Sequence, residues 1–294
     1  MTKNTIDFIG GLGNQLFQYA FYVYVKNMYP KDDISIFTER YNIINDNKGF
    51  QLNSYFELEF SFTSKKEVNK ITRGDGFFSK CINKALGYKQ SYIIEREDCF
   101  IDSSNCKSEL NSDHFYRGLW QDYRYATAYR DEIFNSLKFN FSDDEFDFLN
   151  NIVNENSTPT VSLHVRRGDY YSNEKYKDML GNICNQSYYE KSLEFMIDQL
   201  QSNFSILVFS DDIKWVKDNY KFLEKFDVRY LEGFTDKQDL YLMSICQHNI
   251  ICNSTFSWWG AWLNNNSRKI VIMPSFWFKN VKSIKYQVPG WKVF

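Results

Sequence analysis

Short apolar runs alternate with stretches of helical spacing through the second half of this chain. Thr160–Val165, Phe204–Phe209, Val228–Leu231, His248–Cys252 and Lys269–Met273 read as strands, several of them rich in β-branched residues. The spacing predicts helices between them, over Gln186–Gln201, Asp212–Tyr220, Lys237–Cys246 and Ser257–Leu263. Strands that alternate with helices predict an α/β fold with a doubly wound parallel sheet. The first half opens in the same way. Thr5–Ile9 reads as a strand, Gly10-Gly-Leu-Gly13 as a turn, and a helix follows from Asn14, because Leu16, Phe17, Ala20, Phe21 and Tyr24 recur at helical spacing. With Ile34–Phe37 as the next strand, this is a βαβ unit. From Asn42 to Ser112 no period dominates, and glycines at 49, 74, 76 and 87 interrupt a polar and aromatic mixture. Helices and long loops are expected there. The acidic, Asn-rich segment Asp143–Thr158, ending at Pro159, reads as a linker. It divides the chain into a domain of residues 1–155 and one of 156–294, with the C-terminal tail free to pack back on the first.

Composition supports two domains and narrows the partners. A length of 294 residues exceeds the common domain size of ~100–150 residues. Aromatic residues make up 19%, a surplus suited both to packing and to lining a concave site. The 35 basic residues are offset by 37 acidic ones, which argues against nucleic acid or an anionic membrane as a partner. An anionic ligand therefore needs a local cluster. No stretch approaches the ~18 apolar residues of a spanning helix, and Met1–Asp7 is polar without a signal-peptide core, so a cytoplasmic protein is expected. Cys81, Cys99, Cys106, Cys184, Cys246 and Cys252 are irregularly spaced and read as reduced thiols. With histidines only at 114, 164 and 248 and no HExxH pattern, no metal centre is expected.

Three polar signatures fall at carboxyl ends of predicted strands, where open α/β sheets bind ligands. Thr160–Val165 runs into Arg166-Arg-Gly-Asp169, Phe204–Phe209 into Ser210-Asp-Asp212, and His248–Cys252 into Asn253-Ser-Thr-Phe256. Arg166 and Arg167 carry planar forks that can grip phosphate oxygens, or else pair structurally with a carboxylate. Gly168 permits a close backbone approach, and Asp169 can orient an arginine. Ser254 and Thr255 precede a helix, where hydroxyls and amides suit a phosphate or simply cap the helix. Asp211 and Asp212 can bind a base or ribose, or cap their own helix. The turn at Gly10–Gly13 can bring amides to a phosphate or sugar. It is not a P-loop, since no Gly-Lys-Ser/Thr follows, and it fails GxGxxG because Leu16 stands at the last position. The aromatic run Phe256-Ser-Trp-Trp-Gly-Ala-Trp262 favours core packing, since Trp258, Ala261 and Trp262 share a helical face.

Together, Gly10-Gly-Leu-Gly-Asn-Gln-Leu-Phe-Gln-Tyr-Ala20, His164-Val-Arg-Arg-Gly-Asp-Tyr170 and Asn253-Ser-Thr-Phe-Ser-Trp-Trp-Gly-Ala-Trp262 resemble the α-1,2-fucosyltransferases of glycosyltransferase family 11. Phe209-Ser-Asp-Asp212 and Gly118-Leu-Trp-Gln121 match lesser signatures of that family. The resemblance implies a GT-B-like architecture, with two Rossmann-like domains facing across a cleft, the first (1–155) shaping the acceptor side and the second (156–294) binding GDP-fucose. It implies inverting, metal-independent transfer of L-fucose from GDP-β-L-fucose to the 2-hydroxyl of a terminal galactose, in O-antigen or capsular polysaccharide synthesis. GDP-fucose is then the donor substrate, no further cofactor is needed, and peripheral contact with a lipid-linked acceptor is compatible with the missing membrane segment. By the same resemblance Arg166 binds the β-phosphate, and Arg167, Asn253, Ser254, Thr255 and Phe256 belong to the donor site. His164 and one of Asp211 or Asp212 contact guanine, while Gly13 and Asn14 reach the donor from the first domain. The base is left between Asp169 and a first-domain carboxylate such as Asp122. Two alternatives stay open: a GT-B transferase for another nucleotide sugar, and a non-catalytic nucleotide- or glycan-binding protein. A nicotinamide oxidoreductase is a distant third, because the GxGxxG fingerprint fails.

Overall fold

The computed structural model describes residues 2–42, 49–72, 91–96, 100–101, 113–155 and 158–294. Cys81, Cys99 and Cys106, and the glycines at 74, 76 and 87, lie outside the described residues. The chain forms two compact units, Met1–Asn140 and Phe141–Phe294.

Unit 1 is built on a four-stranded sheet, ordered β2-β1-β4-β3, from β1 (Lys3–Asp7), β2 (Asp33–Phe37), β3 (Tyr92–Ile94) and β4 (His114–Arg117). All its pairings are parallel. The helix Leu12–Met28 joins β1 to β2 and buries Leu16, Phe17, Ala20 and Phe21, the spacing read from the sequence. Phe21 stacks flat on Trp120, with ring centroids 3.8 Å apart. β1 ends two residues earlier than Thr5–Ile9 suggests. The cause is local: the Ile9 amide donates to Gln18 Oε1 at 3.1 Å, leaving the ladder for a side chain of the next helix. β3 falls inside the segment expected to hold only helices and loops. Three residues are too short to show a period.

Unit 2 carries a six-stranded parallel sheet ordered β12-β9-β8-β5-β6-β7. Its strands are β5 (Thr160–Val165), β6 (Ser205–Ser210), β7 (Asp227–Tyr230), β8 (His248–Ile250), β9 (Val271–Met273) and β12 (Lys292–Val293). A short antiparallel pair, β10 (Phe276–Phe278) and β11 (Val281–Lys282), precedes β12. In order of appearance this sheet runs 6-5-4-1-2-3, the Rossmann arrangement, and it reverses between β5 and β8.

Alternate residues of β6 explain the double winding. Ile206 and Val208 pack in one cluster with Tyr189, Leu193 and Met196 of the helix Gln186–Leu200. Leu207 and Phe209 pack in another, with Leu242 and Met243 of the helix Asp236–Ile245. A strand covered on both faces reads as a continuous apolar run, and each buried aliphatic side chain contributes ~1.5–3 kcal/mol.

The second cluster corrects the linker reading. Asp143–Asn154 is a helix capped by Ser142, and Leu149, Ile152 and Val153 bury against Leu207, Phe209 and Leu231. The unit boundary therefore lies between Asn140 and Phe141, not at 155. The acidic residues that suggested a linker occupy the first turn of this helix, where the dipole favours them.

The aromatic run packs as core. Trp258, Trp259 and Trp262 are buried in the helix Thr255–Leu263, and Trp258 Nε1 donates to the Tyr286 carbonyl at 2.7 Å. Among the described cysteines, Cys184, Cys246 and Cys252 are free thiols. No described helix is long and apolar enough to cross a membrane.

Candidate functional site

At the reversal point of the unit 2 sheet, β5 lies between β8 and β6, so the three polar signatures leave adjacent strands from the same edge. Arg166 follows β5, Asp211 follows β6, and Ser254 lies four residues beyond β8. Arg166 Nη1 meets Asp211 Oδ2 at 3.0 Å, with both side chains partly exposed. Asp211 Oδ1 also accepts the Arg167 amide at 2.8 Å. The carboxylate that orients the arginine is thus Asp211, from the neighbouring strand. Asp169 lies in the helix Gly168–Ser172, and its side chain is outside the described set.

Gly168 is required by this pair, since a Cβ there would overlap Asp211 Oδ2. Tyr170, on the same helix, donates its hydroxyl to the Asn253 carbonyl at 2.8 Å, stitching the loop after β5 to the loop after β8.

The two adjacent arginines differ. The Arg167 guanidinium is sandwiched between the rings of Tyr171, 3.8 Å away, and Trp215, 3.6 Å away, and its buried Nε has no hydrogen-bond partner among the described residues. That is a cation–π clamp within the unit. Asp212 accepts the Trp215 amide at 3.1 Å, so of the two aspartates it is the cap of the helix Ile213–Asn219.

His164 is buried near the end of β5, with Nδ1 3.2 Å from Cys252 Sγ and its ring 6.0 Å from that of Phe256. Burial, reinforced by the Arg166 charge, pushes its pKa down to about 3. Burial pushes the Cys252 thiol up to about 12. Both groups are therefore neutral at physiological pH. Asn253 spends its Nδ2 inside the unit, on the carbonyls of Leu180 (3.1 Å) and Trp277 (3.2 Å).

Ser254 is the buried N-cap residue of the helix Thr255–Leu263, yet its side chain makes no capping bond. Asn173, Asn185, Asp212 and Thr235 all cap their helices with a side-chain oxygen in this unit. A helix start without a side-chain cap is an arrangement that suits an anion.

In unit 1, Gly10 has φ +79°, and Asn14 packs so closely over it that a Cβ would come within 2.5 Å of Asn14 Nδ2. Asn14 Oδ1 accepts Gln121 Nε2 at 2.7 Å, bringing the two unit 1 signatures together, while Gly13 is buried in the first turn of its helix. Two neighbours missed by the sequence reading hold this turn. Gln15 Nε2 donates to the carbonyls of Gly10 and Gly49, both at 2.9 Å, and Gln18 bridges the Ile9 amide and the Gly118 carbonyl. Both glutamines are fully buried on an otherwise apolar helix face, the one signal that could have marked them.

Asp122 is committed as a cap, accepting the Arg124 amide at 2.9 Å and pairing with its guanidinium. Asp7, at the end of β1, was also overlooked. It is fully buried, with Arg40 Nε at 2.9 Å and Arg117 Nε at 3.9 Å. Burial raises its pKa to about 7, against the lowering pull of the two arginines. Among the described residues, no three His, Cys, Asp or Glu side chains gather as a metal site.

The chain is 34% identical to an alpha-1,2-colitosyltransferase of Escherichia coli, over 92% of this chain and 90% of that protein. It is 31% identical to the O-antigen biosynthesis glycosyltransferase WbnK of Escherichia coli, over 96% of this chain and 97% of that one. The solved structure of NodZ alpha-1,6-fucosyltransferase, co-crystallised with GDP, superposes with a TM-score of 0.51 at 12% identity, covering 88% of this chain and 92% of that chain. That likeness shows a GT-B-like fold, and each of the two α/β units is built on a parallel sheet. The family profile described as glycosyl transferase family 11 matches residues 1–291, and the chain belongs to that family.

Proposed function

We propose that this protein is an inverting transferase that moves L-fucose from GDP-β-L-fucose to the 2-hydroxyl of a terminal galactose, in O-antigen or capsular polysaccharide assembly. The observation that carries the reading is the polar edge at the reversal point of the unit 2 sheet. There Arg166, oriented by Asp211, follows the strand adjacent to the one leading to a helix start with no side-chain cap.

Breaking the bond from fucose C1 to phosphate leaves negative charge on GDP and positive charge on the sugar ring. In this reading the Arg166 fork and the amides after Ser254 and Thr255 take up the first, a form of preorganised electrostatic stabilisation. Arg167, held between Tyr171 and Trp215, fixes the loop that presents Arg166. His164, kept neutral by burial and within hydrogen-bond distance of the Cys252 thiol through Nδ1, contacts guanine in this reading. Asp169 is assigned as the carboxylate that accepts the proton of the attacking hydroxyl, on its place in the motif; Asp122 is spent on Arg124. Gly13 and Asn14 serve the donor from unit 1. No step is assigned to a metal or a further cofactor.

A transfer assay from GDP-fucose to a panel of terminal galactosides, with linkage analysis of the product, tests the reading. An α-1,2-fucosyl galactoside is expected. Transfer from a UDP-sugar in preference, or GDP binding without turnover, would sink it. The similarity to the E. coli colitosyltransferase favours one second reading, a colitosyl donor at the same site. Colitose is the 3-deoxy form of fucose, so the ratio of kcat/KM for the two GDP-linked sugars decides between them.

A further inference from the structure

The near-neutral balance of the whole chain conceals an uneven distribution of charge. No acidic residue follows Asp239, whereas Arg268, Lys269, Lys279, Lys282, Lys285 and Lys292 all do. Lys269 is spent inside the unit, its Nζ donating to the Ala261 carbonyl at 2.7 Å. Lys279, Lys282 and Lys285 instead gather on the hairpin of β10 and β11 and on the single 3₁₀ turn Ser283–Tyr286 that follows it.

The same segment turns large apolar groups outward. Side chains at i and i+3 of a 3₁₀ turn lie one above the other. Ser283 and Tyr286 form the buried pair here, and Ile284 is left 68% exposed. Alternation does the same along β10. Trp277 is buried, its ring stacked on Tyr286 at 3.8 Å, while Phe276 is exposed and stands opposite Lys282 in the register. Val281 of β11 is 52% exposed. The inner face is fixed: the Ser283 amide donates to the Ser275 carbonyl at 3.0 Å, and the Lys279 amide to the Met179 carbonyl at 2.8 Å. The apolar tips are therefore displayed by a rigid frame.

We propose that this hairpin and turn dock the protein on the surface of a bilayer containing anionic lipid. Val281 and Ile284 enter the headgroup boundary, and Lys282 and Lys285 meet lipid phosphates. Lys279 is offset by Asp178 at 3.2 Å, but Lys282 and Lys285 face no acidic partner among the described residues. Lysines flanking exposed aliphatic groups combine the two attractions that hold a protein at an anionic interface. The other occupants fit less well. A second copy of this face would set lysine against lysine. Single-stranded nucleic acid is held by stacking rings, whereas the two most exposed apolar groups of this surface are aliphatic.

The hairpin leaves the carboxyl end of β9, so it stands on the sheet edge that also carries Arg166 and Ser254. Docking there would hold that edge near the membrane plane, where an acceptor carried on lipid is met at high effective concentration. The surface itself does not depend on which sugar is transferred.

The test is sedimentation of the full chain with vesicles, without donor or acceptor. Binding is expected to phosphatidylethanolamine–phosphatidylglycerol vesicles and not to phosphatidylcholine vesicles, and it should weaken as salt shortens the screening length. The double variant Lys282→Gln, Lys285→Gln should bind about 25-fold more weakly, about fivefold for each charge. Ile284→Ser changes an exposed position and should weaken binding about tenfold. Melting temperature, and turnover on a soluble acceptor, should match the wild type in both variants. No vesicle binding by the wild type, equal binding to phosphatidylcholine, or unchanged binding by both variants would overturn the proposal. So would capture of single-stranded DNA in preference to the anionic vesicles, or a dimer in solution that Ile284→Ser dissociates. Vesicle binding without any sugar transfer would leave the docking surface standing and overturn the transferase reading alone.

Discussion

Gly168 and Asp211 occupy mutually exclusive space: a side chain at residue 168 would overlap the carboxylate oxygen that Arg166 engages at 3.0 Å. The glycine after the arginine pair is therefore the room the ion pair needs, not merely a turn. Gly168→Ala should push Asp211 aside and release Arg166. An ångström-scale misplacement of a catalytic group can cost ~100-fold. We expect kcat to fall by that order while the melting temperature moves little, since the site lies at a sheet edge. Full activity in the alanine variant would show that Arg166 needs no partner.

Arg166→Lys keeps the charge and loses the fork. If the bidentate grip on the departing diphosphate matters, kcat drops about 100- to 1,000-fold, as for loss of one transition-state donor. Circular dichroism and thermal melting should match the wild type. A change confined to the donor KM would assign Arg166 to ground-state binding instead.

Gln18 is fully buried and bridges the Ile9 amide to the Gly118 carbonyl. Gln18→Leu fills the same volume and strands both backbone groups, each worth ~1–3 kcal/mol when buried unpaired. Urea denaturation should show a loss of about 2–6 kcal/mol. A loss under 1 kcal/mol would mean the turn after β1 relaxes and rehydrates.

Asp7 sets a pH dependence of stability. Its folded pKa, about 7, lies above the ordinary value of 3.8, so the folded state holds a proton that the unfolded state has lost. Its contribution is greatest below pH 3.8 and is lost as pH rises toward 7. Between those limits the wild type should lose up to ~1.4 kcal/mol per pH unit relative to Asp7→Asn. Parallel stability curves for the two proteins from pH 4 to 8 would show that Asp7 is ionised throughout.

EDTA should leave turnover intact, because the charge of the leaving group is assigned to Arg166 and the helix start near Ser254. Loss of activity restored by Mn²⁺ would require a metal bridging the diphosphate.

Much of unit 2 was legible because its strands are buried on both faces. Thr160–Val165 matched β5 to the residue, and the three polar signatures do leave adjacent strands. Pairings between those strands were hidden. Nothing in a local window says that Asp211 crosses to Arg166 while Asp169 sits nearer in sequence, or that Arg167 turns away between two rings. Asp143–Asn154 was misread because acidic residues serve helix starts and linkers alike. In unit 1, β3 is too short for any period, and Asp7 fell inside the expected strand Thr5–Ile9 with nothing in the sequence to mark it. The arginines that face it, Arg40 and Arg117, lie far along the chain.

The strand order of unit 2 also bears on how the protein is made. β5 pairs with β6 through Val161 and Ile206, and with β8 through Val161 and His248. Pairings over such separations close large loops and form slowly. Arg166 and Ser254 become neighbours only once β8 has docked on β5. During synthesis, the diphosphate grip assigned to these residues is therefore absent until the chain beyond β8 has emerged. Donor nucleotide added to a refolding reaction would then act late, trapping the finished sheet rather than guiding its nucleation.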